Sequence, residues 1–178
     1  DPNTGFKLKE YLSKNFISSS LSALGIDVAQ HPTFEKSIDK NKPFLSQRKY
    51  AFVSDRYTKP VISLEPLNWG SGFHRVKGKD FTIDPNLFLF HFGLADIQML
   101  QNKFKNNELI SLGWNNHFKR RYKLYEKIKN QIPVEAEQLF QIAREYFKKN
   151  RKLIAWNKPS SLKMPSLIKI PKRFKGLV

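Results

Sequence analysis

The spacing of apolar residues changes near residue 94, and this change limits the possible folds more than any other feature. Before it, short runs such as "KPVISL", "FTID" and "NLFLFHFG" are apolar or β-branched and end at turn residues, which predicts strands. After it, "LADIQMLQNKFKN" and "NNHFKRRYKLYEKIKN" place apolar residues three and four positions apart, which predicts amphipathic helices. Strands that come first and helices that gather later predict an α/β or mixed α+β fold.

Three further segments complete the predicted elements. "GFKLKEYLSKNF" predicts a short N-terminal helix, Gly25 is interpreted as a helix stop, and "IDVAQH" predicts a short strand. Pro133 is expected to open a third C-terminal helix whose apolar side comprises Leu139, Ile142, Ala143, Tyr146 and Phe147. The tail carries Pro159, Pro165 and Pro171, so we expect an extended arm that lies on the body or on a partner.

The runs "FTID" and "NLFLFHFG" are separated by the turn-like tripeptide "DPN". This arrangement predicts a hairpin, which would place the loop before Phe81 beside His91. We therefore expect the side chains of His74 and His91 to face one cleft.

Positive charge is concentrated in the C-terminal third of the chain. The formal net charge is +17, and 17 of the 32 Lys and Arg residues but only 4 of the 15 Asp and Glu residues follow residue 114. This asymmetry predicts an anionic partner for residues 116–129 and the tail: nucleic acid, phosphate or an anionic membrane surface. The alternative is a solvated Lys-rich surface with no partner.

Several classes of site are excluded by what the sequence lacks. The 178 residues contain no cysteine, so disulfides and Cys-ligated zinc are impossible. The chain contains none of the glycine-rich phosphate loops, the G-x-S-x-G elbow, the H-E-x-x-H metal motif or a D-x-D pair. It also has no run of about 18 apolar residues, so no membrane span is predicted. Because it begins at Asp1 rather than methionine, we expect a fragment of a longer protein.

The stretch "NWGSGFHRV" has the composition of a ligand-binding loop. Glycines allow the backbone to approach a ligand, Trp69 offers a stacking face, and His74 and Arg75 can donate to phosphate oxygens. His91 ends an apolar strand just before Gly93 and is expected to point into a cleft. The alternatives are a core histidine bonded to a backbone carbonyl at position 91 and a simple turn residue at position 74.

Three segments, taken in order, resemble a known family. "DPNTGFKLKEYL", "PFLSQRKYAFVSDRYTKPVISLEPLNWGSGFHRV" and "NLFLFHFGLAD" are similar to the later half of bacterial glycosyltransferases of the GT-A fold, in the broad family 2 group. The resemblance implies that residues 1–105 form the C-terminal, acceptor-side half of a GT-A-like catalytic domain. Residues 106–178 would then be a basic helical extension with a Pro-rich tail.

The resemblance also implies a reaction and a set of partners. The enzyme would transfer a sugar from a nucleotide-sugar donor to a saccharide acceptor in surface polysaccharide synthesis, in the cytoplasm at the inner face of the membrane. Substrate contacts would come from Lys59, Trp69, Gly72, Phe73, His74 and Arg75, and His91 would bind the metal or the diphosphate. A divalent cation, Mn²⁺ or Mg²⁺, is expected in the full-length enzyme. None is expected for this chain alone, because the acidic metal motif and the N-terminal half of the domain are missing from it.

A transferase of the inverting kind needs a carboxylate that takes a proton from the acceptor hydroxyl. Glu65 and Asp96 flank the expected cleft and are the two catalytic candidates. Each has a structural alternative, since Glu65 precedes Pro66 at a strand end and Asp96 could lie in the first turn of the following helix. The alternative function is a basic nucleic-acid-binding or structural interaction module without catalysis.

Overall fold

The computed structural model describes residues 7–15, 19–70, 73, 75–78, 81–151, 158–163 and 166–174. Within these residues the fold combines a five-stranded sheet with five α-helices, so the predicted mixed α+β class is confirmed. The strands are β1 (Ser20–Ala29), β2 (Tyr50–Val53), β3 (Lys59–Ser63), β4 (Ile83–Leu94) and β5 (Leu167–Lys169). The helices are α1 (Leu8–Asn15), α2 (Ile97–Phe104), α3 (Asn107–Ser111), α4 (Asn115–Ile128) and α5 (Ala136–Lys149). Single 3₁₀ turns occupy Leu45–Gln47 and Lys172–Phe174.

Strand β1 is the centre of the sheet, and all ten of its residues are buried. The strand order is β3-β1-β2-β5, and β4 also pairs with β1. The β1–β3 and β2–β5 pairs are antiparallel. The N–H of Ser22 donates to the C=O of Thr82, and the N–H of Gln30 donates to the C=O of Leu94, so β4 runs parallel to β1. The C-terminal ends of β1 and β4 therefore lie side by side.

The chain divides into two compact units that interleave along the sequence. Unit one comprises Asp1–Ile26, Val53–Phe90 and Glu137–Pro165. Unit two comprises Asp27–Phe52, His91–Ala136 and Ser166–Val178. Both units combine segments from the two sides of the boundary predicted near residue 105.

Unit two has a continuous apolar core beneath helices α2 and α4. Its fully buried members are Ala29, Phe52, Leu94, Leu100, Phe118, Ile128 and Leu167. The rings of Phe104 and Phe118 lie 5.3 Å apart, which joins the two helices. The periodicity thus predicted both helices, and Leu100, Phe118 and Ile128 are apolar residues of the predicted faces that the core buries.

The predicted hairpin between "FTID" and "NLFLFHFG" is wrong, because Ile83 and Asp84 of the first run and all of the second run belong to the single strand β4. The carboxylate of Asp84 accepts the N–H groups of Asn86 at 2.8 Å and Leu87 at 3.0 Å, which satisfies the "DPN" backbone without a chain reversal. The hydroxyl of Tyr11, on α1, donates to the same carboxylate at 2.9 Å. Residue 81 thus precedes the start of β4, whereas His91 lies near its end, and the basis for a shared cleft is removed.

Gly25 is not a helix stop but an interior residue of β1. A Cβ at this position would lie 2.4–2.6 Å from backbone atoms of Ser54, Tyr57 and Thr58. The N–H of Gly25 also donates to the hydroxyl of Thr58 at 2.9 Å. Glycine is required here because another backbone passes too close for a side chain.

Helix α5 is confirmed, but it begins at Ala136 rather than at the predicted Pro133, because Val134 is engaged in a bridge with Ile168, and its predicted apolar face is displaced. The buried residues are Ala136, Phe140, Ala143 and Phe147, whereas Ile142 is 51% exposed. The predicted extended arm is confirmed where β5 pairs with β2, and Leu167 and Ile168 are fully buried there.

Candidate functional site

A cluster of polar side chains in unit two surrounds the C-terminal ends of β1 and β4. Asp27 comes from β1 and is buried, and His91 comes from β4. The Nδ1 atom of His91 lies 2.8 Å from Oδ1 of Asp27, while 34% of the His91 side chain is exposed. One edge of the imidazole is thus anchored by a buried carboxylate, and the ring is still accessible. Ligands of α/β sheets characteristically bind at the carboxyl ends of parallel strands.

The contacts of His91 favour one tautomer of its ring. Nδ1 also lies 3.2 Å from the backbone nitrogen of Gly93, which has a hydrogen to donate. Nδ1 cannot donate to Asp27 and accept from Gly93 at once. The contact with the carboxylate is shorter and charge-assisted, so we assign the proton to Nδ1. In the neutral ring, Nε2 is then the basic nitrogen.

Arg121, on α4, completes the cluster by lying directly over the backbone of Gly93. A Cβ on Gly93 would lie 2.2 Å from Nη1 of Arg121 and 2.5 Å from Cε1 of His91. The Nη1 atom of Arg121 is 3.6 Å from Oδ2 of Asp27, so one carboxylate faces both the imidazole and the guanidinium. Glycine at position 93 is what allows this approach.

The guanidinium of Arg121 is held from the other side by its own helix. Its Nε donates to Nε2 of His117 at 2.9 Å, one helical turn earlier. The ring of His117 in turn lies 5.2 Å from the ring of Trp114 in an edge-to-face arrangement. The cluster therefore has one carboxylate, two imidazoles and one guanidinium, each with a packed neighbour.

We tested whether these side chains fit a divalent cation. In the described ranges no group of three or more His, Asp or Glu residues is arranged to hold a metal ion. Asp27 is occupied by His91 and Arg121, and His117 accepts from Arg121. His91 could supply one nitrogen ligand, oriented by a carboxylate as metal-bound histidines usually are. Within the described residues, His91 is therefore not part of a set of three or more such ligands.

Asp96, a candidate catalytic base, has the contacts of a structural residue. It is the N-cap of α2, with Oδ1 accepting the N–H of Met99 at 3.1 Å. Its Oδ2 accepts the N–H of Ile38 at 2.8 Å and lies 3.7 Å from Nη2 of Arg48. Its catalytic role stays a prediction, and these contacts favour the helix-start alternative.

Arg48 is fully buried and ties the loop before β2 to the end of β4. Its Nε donates to the C=O of Ala95, and its Nη1 donates to the C=O of Gln47 at 2.8 Å. Burial lowers the pKa of Arg48, and the negative charges of Glu35 and Asp96 oppose that shift. The arginine of the "QR" segment therefore holds the fold together at this point.

Glu35 and His31 form the neighbouring part of the same loop. Burial raises the pKa of Glu35, although its carboxylate accepts the N–H groups of His31 at 2.7 Å and Lys49 at 2.5 Å. His31 is buried between the rings of Phe34 and Tyr50, and desolvation lowers its pKa. Both groups are engaged in local structure.

The other predicted site residues belong to unit one. Lys59 begins β3 and is half-buried, and desolvation lowers its pKa. Glu65 is exposed just after β3, where its N–H donates to the hydroxyl of Ser63 at 3.2 Å. Gly72 and His74 lie outside the described residues. The predicted meeting of His74 and His91 therefore stays without a structural observation.

The loop that carries Trp69, Phe73 and Arg75 is a small hairpin. Trp69 and Val76 form an antiparallel bridge, and the N–H of Gly70 donates to the C=O of Arg75 at 2.9 Å. The rings of Trp69 and Phe73 are 5.7 Å apart and edge-to-face. Phe73 is 65% exposed and has a φ of 53°, which is uncommon for a non-glycine residue. The structure thus brings two of the predicted substrate residues together.

Sequence reasoning missed Asp27, His117 and Arg121. Arg121 could have been found, because the spacing of Phe118, Arg121, Tyr125 and Ile128 places it on the apolar face of α4. Asp27 is a lone charge in the otherwise uncharged strand Ser20–Ala29, which is also a usable signal.

No family model, curated protein or solved structure matches this chain. Within the described residues, no helix is both long enough and apolar enough to cross a membrane.

Proposed function

We propose that this chain is the acceptor-side part of a nucleotide-sugar-dependent glycosyltransferase. The observation that carries the proposal is the His91 cluster: an accessible imidazole held by buried Asp27 beside the guanidinium of Arg121. The ordered segments that resemble glycosyltransferases of the GT-A fold support the same reading.

Glycosyl transfer places negative charge on the departing diphosphate, which fixed cationic groups or a metal ion must stabilise. His91 suits this role in either protonation state. A protonated ring donates to a phosphate oxygen, and a neutral ring offers Nε2 to a cation. Arg121 adds a permanent positive charge within the same cluster, and Asp27 keeps both groups in place.

The hairpin of unit one, taken by itself, has a surface that suits a saccharide. Trp69 and Phe73 supply apolar ring surface, and Arg75 is exposed beside them. The positive φ of Phe73 holds an apolar ring toward solvent, a strained arrangement of the kind found at functional sites. Lys59, Gly72 and His74 complete the substrate residues of this proposal.

A divalent cation, Mn²⁺ or Mg²⁺, would neutralise the diphosphate in the full-length enzyme, and His91 is the residue of this chain that would contact it. The partners would be a nucleotide-sugar donor, a saccharide acceptor and the remaining part of the catalytic domain. Glu65 and Asp96 remain the candidate bases, and the contacts of Asp96 make Glu65 the better of the two.

The test measures nucleoside diphosphate release by the full-length protein, with a panel of nucleotide sugars and either Mn²⁺ or Mg²⁺. His91→Ala should lower turnover by roughly 10²-fold or more, because one charge-stabilising group is lost. Lys103→Ala, at an exposed position of α2, is the control and should leave turnover unchanged. Absence of release from every nucleotide sugar, or normal turnover by a folded His91→Ala variant, would refute the proposal.

A further inference from the structure

The outward face of α4 carries a continuous stripe of positive charge. Lys119, Arg120, Lys123 and Lys127 are exposed, and the i, i+4 spacing of the three lysines aligns them along about two turns of helix. The opposite face buries Phe118, Arg121 and Ile128 in unit two. The orientation of this helix is therefore fixed by its core face, and the cations are its solvent side.

This charge is not neutralised within the described chain. None of the four cations forms an ion pair with a carboxylate among the residues that the structure describes, and Arg120 makes one hydrogen bond, to the C=O of Asn116 at 3.3 Å. Glu126 is the one acidic residue of the helix. A face with this balance attracts a polyanionic surface.

Exposed apolar side chains border the N-terminal end of the same helix. Leu112 is 67% exposed and Trp114 is 45% exposed, and Tyr122 lies further along with 39% exposure. Gly113, with a φ of 84°, turns the chain between the first two. An exposed leucine and tryptophan at the end of a helix with a basic outward face favour contact with the headgroup region of a bilayer.

We propose that α4 docks this protein on an anionic lipid bilayer, with the cationic stripe on the headgroups and Leu112 and Trp114 at the acyl boundary. The proposal does not depend on the glycosyltransferase assignment. Leu112 favours a bilayer over a nucleic acid as the partner. A leucine side chain cannot stack on bases, but it is stabilised at the boundary between the headgroups and the acyl chains.

The experiment measures binding of the protein to vesicles of neutral phosphatidylcholine, with and without 30% phosphatidylglycerol, by co-sedimentation. The triple variant Lys119→Gln, Arg120→Gln, Lys123→Gln should lose roughly 100-fold in binding to anionic vesicles, about fivefold for each cation. The matched control, Lys148→Gln, Lys149→Gln, Lys163→Gln, removes the same charge from exposed positions in unit one and should bind nearly as the parent does. Leu112→Ser should weaken binding roughly tenfold.

Three outcomes would overturn the proposal. The first is equal binding, or none, to neutral and anionic vesicles. The second is an equal loss in both triple variants, which would mean that net charge alone acts. The third is tighter binding to a single-stranded oligonucleotide that depends on the α4 cations and is insensitive to Leu112→Ser, which would identify a nucleic acid as the partner. Circular dichroism of each variant checks that the fold is kept.

Discussion

Buried charge in unit two is concentrated at two points that both hold the end of β4. Asp27 faces His91 and Arg121, and Asp96 faces Arg48. Removing water from such groups costs free energy that their mutual attraction only partly offsets, so a buried pair is not by itself evidence of stability. These groups instead act by positioning the chain, since each set of contacts fixes the end of β4 against a neighbouring segment.

Gly93→Ala should destabilise the protein by about 1–3 kcal/mol, because the new methyl group would overlap Arg121 and His91. Urea unfolding measures the loss. A double-mutant cycle with Arg121→Ala identifies its cause. If the overlap with the guanidinium dominates, the double variant should lose less than the sum of the single losses, whereas strict additivity would contradict this explanation.

The contribution of His31 to the stability of the protein should fall as the pH drops below about 6.5. Desolvation lowers the pKa of His31 from its usual 6.5, so the unfolded chain takes up a proton at a pH where the folded protein does not. Protonation would also turn Nδ1, which accepts the N–H of Thr33 at 3.2 Å, into a donor. The stabilising contribution is complete above pH 6.5 and is lost as the pH falls through the lowered folded-state pKa.

Chemical unfolding at pH 7.5 and pH 5 tests this contribution. His31→Asn keeps an acceptor near Nδ1 but cannot be protonated, so the variant should lose less free energy of unfolding between the two pH values. Glu35 has a raised pKa and gives an opposite pH dependence, but it is present in both proteins and cancels in the comparison. Equal pH dependence in the two proteins would exclude His31.

At the scale of elements, hydrophobic periodicity identified the helices better than it identified their faces. In α4 the charged Arg121 occupies the buried side, and Tyr122 points outward with 39% exposure. In α5 the buried residues are Ala136, Phe140, Ala143 and Phe147. Three residues of the predicted apolar face, Leu139, Ile142 and Tyr146, each lie one position before a buried residue. Both helices contain enough apolar residues for either of two adjacent faces to be predicted as the buried one. Tertiary packing determines which face is buried.

The two candidate faces of α5 can be told apart by mutation. Phe140→Ala should cost about 3–5 kcal/mol, because the ring is buried and lies 5.2 Å from the ring of Phe88. Ile142→Ala should cost about 0.5 kcal/mol or less, because Ile142 is exposed. If the apolar face predicted from the sequence were the buried one, this substitution would be as destabilising as Phe140→Ala. Thermal and urea unfolding of the two variants give the comparison. Similar losses of unfolding free energy would contradict the burial of Phe140 and the exposure of Ile142.

For the whole molecule, the C-terminal arm is part of the fold rather than an appendage. Strand β5 pairs with β2, the N–H of Val134 donates to the C=O of Leu167 at 2.8 Å, and Leu167 and Ile168 are fully buried. The formal charge of +17 opposes compaction through self-repulsion, so the loss of two buried aliphatic residues is less easily tolerated.

Ending the chain at residue 165 should therefore unfold unit two. The truncation removes Leu167 and Ile168 from the core, at about 2–5 kcal/mol each, together with the hydrogen bonds of β5. Near-ultraviolet circular dichroism and limited proteolysis would report the loss. Lys169→Gln changes an exposed residue of the same strand and should have little effect. A truncated chain with intact tertiary signals would show that β5 is dispensable.

The sequence alone determined the features that depend on neighbouring residues. The mixed α+β class, the positions of α2, α4 and α5, and strand β3 follow from local periodicity and turn residues, and the structure confirms them. A helix or strand buries whichever residues its repeat places together, so a single sequence contains that information.

Only the tertiary structure decided the composition of the His91 cluster. Asp27 and His91 are 64 residues apart and meet because β4 pairs in parallel with β1, and Arg121 joins them because Gly93 leaves room for its guanidinium. The same carboxylate of Asp84 that accepts the local N–H groups within β4 also accepts the hydroxyl of Tyr11, 73 residues away. Strand pairing and register depend on the packing of segments that are distant in the sequence. Local sequence patterns do not specify which of these segments pair.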